Sequence, residues 1–185
     1  MVYGIVKSLN GDITVESIPG IGSAFRVLLP KAATDETSRT GGSMGIRGGK
    51  EHILFIDDEE IIAELGTGML ERLGYTVTAF TDSSKALDVF HENPSGFDLV
   101  ITDQTMPNLT GVLLAEQVLD IRPDMPVILC TGHSETVDPE TTKAAGISEF
   151  LMKPLTRQEL AEAVRRALDA VRGHQREMEG TFFRK

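Results

Sequence analysis

A chain of 185 residues has room for one ordinary domain of about 100 to 150 residues with appendages, and 41% apolar content fits a globular core. A formal net charge of −10 without a basic run argues against a nucleic-acid binder held by phosphate contacts. No apolar run of about 18 residues is present to span a bilayer, and the single cysteine, Cys130 in the run PVILC, excludes an internal disulfide framework and reads as a buried filler.

The first residues, MVYGIVKSLNGD, lack the basic start and long apolar stretch of a secretory signal, so a cytoplasmic location without membrane contact is expected. Residues 11–30 read as two strands, DITVES and AFRVLL, joined by a Gly-rich turn from Pro19 to Ser23, too little chain to build a core. Residues 31–51 carry five glycines and no aromatic, and are expected to be a flexible linker.

From residue 52 to residue 172 the chain repeats one beat. The apolar runs HILFI, YTVTAF, DLVIT, PVILC and SEFLM are each followed by a stretch with helical spacing. In Glu59 to Leu73 the stripe is Ile61, Ile62, Leu65, Met69 and Leu73; near the end it is Leu160, Val164, Leu168 and Val171. Helix starts are signalled by Asp138 with Pro139 and by Thr156 with Glu159 three residues on, a capping-box spacing. Apolar strands alternating with amphipathic helices predict an α/β fold, a doubly wound five-stranded parallel sheet covered on both faces, with a short N-terminal β appendage. Residues 173–185 form a tail too short for a further domain, and its Phe182 and Phe183 are candidates for local docking.

Ligands of such sheets bind beyond the carboxyl ends of the strands. There the chain places Asp57 and Asp58 after the first run, Asp103 after the third, Thr131 after the fourth and Lys153 with Pro154 after the fifth. Crowded carboxylates are relieved by a proton or a cation, and Mg2+ takes one or two carboxylates, here Asp58 and Asp103, plus waters and phosphate oxygens. A carboxylate can attack phosphorus when metal, lysine and hydrogen-bond donors offset the transferring charge. Each residue alone has an ordinary structural reading, since Asp pairs cap helices and Lys-Pro makes corners. Their joint placement at alternating strand ends carries the functional one.

Residues 52–172 resemble a response-regulator receiver domain, through the acidic pair in ILFIDDEE, the aspartate in DLVITDQTMPNLTG, the hydroxyl in VILCTG and the lysine in FLMKPL. The resemblance implies a flavodoxin-like fold with strand order 2-1-3-4-5. It implies Asp103 as phosphoacceptor from a phosphohistidine donor, either a histidine kinase or a histidine phosphotransfer protein. Asp57, Asp58, Asp103 and the Thr105 carbonyl would bind Mg2+, or Mn2+ in its place. Thr131 and Lys153 would contact the phosphoryl group, and Phe150 would turn inward on activation. It further implies a cis bond before Pro154 and an output face around the fourth and fifth strands; a weak homodimer is a further candidate assembly. Two other readings remain open: an aspartate-nucleophile phosphatase, which usually needs a general acid where Thr105 stands, and a docking domain that is never phosphorylated.

The first thirty residues resemble the end of a histidine-kinase ATPase domain, including the glycine box Gly20-Ile21-Gly22-Ser23. That resemblance implies a fragment of a hybrid histidine kinase beginning inside an ATPase helix. The phosphorylatable histidine, the asparagine motif and the adenine-contacting glycine motif are missing, so productive ATP binding and kinase activity are not expected of this chain. His91, in FHENPSG, is expected to be exposed and structural; His133 is read as a loop residue, and His52 and His174 as lone residues without partner spacing.

Overall fold

The computed structural model describes residues 2–8, 11–30, 47–132 and 146–182. The chain divides into two compact units, residues 1–43 and 44–185. In the first, helix α1 (Val2–Ser8) precedes strands β1 (Asp12–Ile18) and β2 (Gly22–Leu28), which pair antiparallel with Asp12 opposite Leu28 and Ile18 opposite Gly22. The turn needs positive φ at Gly20 (78°) and Gly22 (133°), which only glycine adopts without strain. Alternation places Val15 and Phe25 on one face and Glu16 and Arg26 on the other; Val15 and Phe25 stay largely exposed, because two strands alone cannot bury an apolar face.

The second unit holds strands β3 (His52–Ile56), β4 (Thr76–Phe80), β5 (Leu99–Asp103), β6 (Val127–Thr131) and β7 (Glu149–Met152). All pair parallel in the order β4-β3-β5-β6-β7, the expected 2-1-3-4-5. Helices α2 (Glu60–Glu71), α3 (Ser83–Glu92), α4 (Gly111–Ile121) and α5 (Arg157–Phe182) cover it. The central strands β5 and β6 are buried at every position, which explains their unbroken apolar runs and gives two cores. On one face Ile53, Phe55, Ile101 and Ile128 meet Leu160, Val164 and Leu168 of α5; on the other Leu54, Ile56, Val100 and Leu129 meet Phe90 and Leu114.

Local signals set the helix starts. Asp82 accepts from the Ser84 and Lys85 amides before α3, and Thr110 from the Leu113 amide before α4. Half of the capping box before α5 forms: the Glu159 amide donates to Thr156 Oγ1 at 3.3 Å, while the Glu159 carboxylate accepts from the Thr156 hydroxyl and not from its backbone amide. The Asp138 and Pro139 start lies outside the described residues.

The stripe expected on α2 is corrected. The buried line is Ala63, Gly66 and Leu70; Ile62, Met69 and Leu73 flank it, while Ile61 (78% exposed) and Leu65 (52%) face solvent. The cause is Phe55: a Cβ on Gly66 would lie 2.4 Å from its Cζ, so the helix seats its smallest residues against the ring. On α5 the expected stripe holds, with Leu160, Val164 and Leu168 buried and Val171 half-buried.

Residues 47–51 belong to the second unit and are tied to its helices. The Gly49 amide donates to the Leu73 carbonyl, and Glu51 accepts from Arg165 and Arg172, each at 2.8 Å. At the other end α5 runs through Arg172 without a break, in a segment rich in Arg, Gln, Glu and Met and lacking proline.

Candidate functional site

The site lies where β3, β5, β6 and β7 end. The residues just past three of these strands are fixed by backbone bonds to neighbouring strands: the Asp57 amide donates to the Phe80 carbonyl (3.1 Å), the Gln104 amide to Cys130 (2.8 Å) and the Lys153 amide to Thr131 (2.8 Å). The sheet ladder thereby presents Asp57, Asp103, Thr131 and Lys153 along one rim. Thr131 is 6% exposed, and Asp57 is 1% and Asp103 5% exposed, unusual burial for an acid without a reason to be there.

Lys153 supplies that reason. Its Nζ lies 2.6 Å from Asp103 Oδ1 and 2.7 Å from Asp57 Oδ2, bridging two carboxylates from separate strands. The remaining oxygens are also engaged: the Thr105 amide donates to Asp103 Oδ2 (2.7 Å) and the Glu59 amide to Asp57 Oδ1 (3.1 Å). Burial pushes the Asp57 carboxyl above its ordinary range, although Lys153 pulls the other way. Burial disfavours the Lys153 ammonium, but the hydrogen bonds to Asp103 and Asp57 outweigh it and hold the amine above its usual value. The Lys153–Pro154 bond is cis, as expected.

Other expected site residues sit at or beside this rim in different states. Asp58 is exposed next to Asp57, and among the described residues no three acidic, histidine or cysteine side chains are already grouped to hold an ion. That still fits Mg2+, which keeps waters and takes one or two carboxylates with substrate oxygens. The chemistry of the donor set agrees, because a buried carboxylate pushed toward protonation beside a second one gains from a cation.

The Thr131 hydroxyl donates to Met152 Sδ at 3.6 Å. Phe150 is 42% exposed on edge strand β7, so it is not a core residue in this conformation. Cys130, by contrast, is buried, and burial pushes its thiol up to about 12, leaving it an inert filler. His91 is exposed, as expected, and His52 half-buried, with its ring against Phe97 and Nε2 2.8 Å from Thr78 Oγ1; His133 lies outside the described residues.

Two features were not foreseen. Met152 immediately precedes Lys153, and strand pairing sets it opposite Thr131; its position one residue before the lysine was the available signal. The Glu51, Arg165 and Arg172 cluster joins residues more than 110 apart, and no local pattern announces it.

Residues 53–165, more than half the chain, match the family described as "Response regulator receiver domain". Among curated proteins, the chain is 28% identical over 181 residues to the sensor kinase CckA of Brucella abortus, covering 91% of this chain and 19% of that protein. It is 29% identical over 155 residues to the sensor protein EvgS of Escherichia coli K12, covering 82% and 13%. The chain thus spans a fifth or less of the length of these relatives. Among solved structures, a response regulator receiver domain protein from Clostridium thermocellum superposes with a TM-score of 0.62 at 36% identity, covering 65% of this chain and 95% of that one. A CheY-like receiver protein from Methanospirillum hungatei gives 0.62 at 28%, covering 68% and 99%. With this sheet order and these matches, the chain belongs to the response regulator receiver domain family, the phosphorylation-signalling modules of two-component systems.

Proposed function

We propose that Asp103 is the phosphoacceptor and that Mg2+ enters beside it, held by Asp57, Asp58, Asp103 and the Thr105 carbonyl. The observation that carries this reading is the Lys153 ammonium within 2.7 Å of both Asp103 and Asp57 at a buried rim. When bound, the metal supplies charge neutralisation for the transferring phosphoryl group. An Asp103 oxygen attacks phosphorus as the donor imidazole leaves. Lys153, already paired with the attacked carboxylate, keeps its proton and turns its charge to the arriving phosphoryl oxygens. The Thr105 amide orients Asp103 through its second oxygen, and the Thr131 hydroxyl donates to the phosphoryl group once it leaves Met152. Phosphorylation adds close to two negative charges at the rim, and the movement of Thr131 opens space for exposed Phe150 to turn in, altering the face around β6 and β7.

The phosphoryl source is a phosphohistidine on a histidine kinase or a phosphotransfer protein. The similarity to two sensor kinases, one spanning 91% of this chain, supports placement at the C-terminal side of a hybrid histidine kinase in the cytoplasm, with residues 1–30 as the end of its ATPase domain and residues 52–172 as the receiver. Among the described residues no helix is long and apolar enough to cross a membrane. Incubation with acetyl phosphate and Mg2+ should add one phosphoryl group, at Asp103, and Asp103→Asn should abolish it. Sustained turnover of phosphate esters would instead assign a phosphatase, and a label at another residue would overturn the reading.

A further inference from the structure

Thr131 has one hydroxyl proton, and here it goes to a thioether. Thr131 and Met152 face each other across the β6–β7 ladder, with Oγ1 3.6 Å from Sδ. A thioether is a weak acceptor, so this bond is easily given up when a stronger one is offered. The side chain that carries this sulfur reaches solvent. Among methionines whose side chains are described, Met106 is 7% exposed, Met125 2% and Met69 half-buried, whereas Met152 is 54% exposed. A thioether on a half-exposed side chain, in contact with a hydroxyl needed at the rim, joins solvent chemistry to the site.

We propose that Met152 is an oxidation site, whose conversion to the sulfoxide by a peroxide holds Thr131 away from the phosphoryl group and lowers phosphorylation at Asp103. The inference rests on the phosphoacceptor reading above. In the step, a sulfur lone pair attacks one peroxide oxygen, the O–O bond breaks and an S–O bond forms. The second oxygen leaves as water, or as an alcohol from an alkyl peroxide, taking up the proton that the transferred oxygen gives up. Sulfur loses two electrons and the peroxide gains them. The product carries a strongly polar oxygen where the weak acceptor stood. Because Thr131 has a single proton to donate, a bond to the sulfoxide competes directly with a bond to the phosphoryl group. Reduction of the sulfoxide restores the thioether and releases the hydroxyl.

The test is hydrogen peroxide treatment of the full chain, followed by peptide mass mapping and labelling with acetyl phosphate and Mg2+. Trypsin, which does not cut between Lys153 and Pro154, isolates residues 144–157 with Met152 as their one methionine. Met152 should oxidise ahead of Met69, Met106 and Met125. The steady-state label should then fall about three- to tenfold, the span set by one competing hydrogen bond. Methionine sulfoxide reductase should restore it. Met152→Leu should label to the same extent with and without peroxide, and Thr131→Ala should lose the peroxide response while still binding Mg2+.

Four results would overturn the inference alone: Met152 resisting oxidation, an oxidised protein labelling like the untreated one, a loss that persists in Met152→Leu, or a full peroxide response in Thr131→Ala. An untreated protein that takes no label would overturn the phosphoacceptor reading and the inference with it.

Discussion

Replacing Lys153 with Met keeps the length of the stem and deletes the ammonium that bridges Asp57 and Asp103 at 2.7 and 2.6 Å. Two buried carboxylates would then face each other without the ammonium between them, the Glu59 and Thr105 amides still donating to one oxygen of each. Removing one partner of a fully buried ion pair costs about 3–5 kcal/mol; because the Lys153 side chain is 20% exposed and water screens part of the charge, we expect about 2–4 kcal/mol at pH 7. Urea unfolding in EDTA measures it, with Mg2+ added in a second series to recover part of the loss by cation binding.

The pH dependence has a definite sign. In Lys153→Met the Asp57 carboxyl, which burial already raises, holds its proton more tightly folded than unfolded, so the gap from the native protein should shrink as pH falls toward the ordinary carboxylate range. In the native protein the raised amine contributes stability that is fully present below 10.5 and lost as pH rises beyond it. Adding Asp103→Asn to Lys153→Met should restore part of the loss by removing one of the two charges. A loss below about 1 kcal/mol at pH 7, or one independent of pH, would refute the view that this bridge organises the rim.

Glu51→Gln should cost about 1–3 kcal/mol by weakening its bonds to Arg165 and Arg172. Burial raises the Glu51 carboxyl, but the hydrogen bond from Arg165, the backbone amides of Glu51 and Lys50 and the Arg165 charge together more than offset it, so its contribution exists above 4.5 and disappears as pH falls through the lowered value; acid titration of the two proteins should bring their stabilities together there. Gly111→Ala should cost about 2 kcal/mol or more and slow phosphorylation, since the new Cβ would sit 2.3 Å from the Asp103 carbonyl oxygen, a backbone atom that cannot swing away; a phosphorylation rate matching the native protein would contradict this. Cys130, with its thiol pushed up to about 12, should resist alkylation at neutral pH until urea unfolds the chain, and rapid labelling of the native protein would refute its burial.

Much of the architecture is written locally. The all-apolar runs DLVIT and PVILC encode central strands because both faces of the sheet are covered, and Thr156 with Glu159 encodes a helix start because the capping bonds span three residues. The rim acids, hydroxyl and lysine are legible for the same reason: a parallel sheet sends every strand end to one edge, so position within each run already places Asp57, Asp103, Thr131 and Lys153 together.

The face of α2 was not legible. Ile61 and Leu65 read as core, yet Gly66 and Ala63 are buried, because the ring of Phe55 on another element decides which side of the helix can approach. The sequence by itself determined the alternation of strands and helices, the caps and the inventory of the rim, all of which depend on neighbours a few residues away. Only the tertiary structure decided which oxygens Lys153 bridges, that Thr131 donates to Met152, and that Glu51 is tied to α5, because each of these contacts joins residues brought within bonding distance by packing rather than by chain proximity.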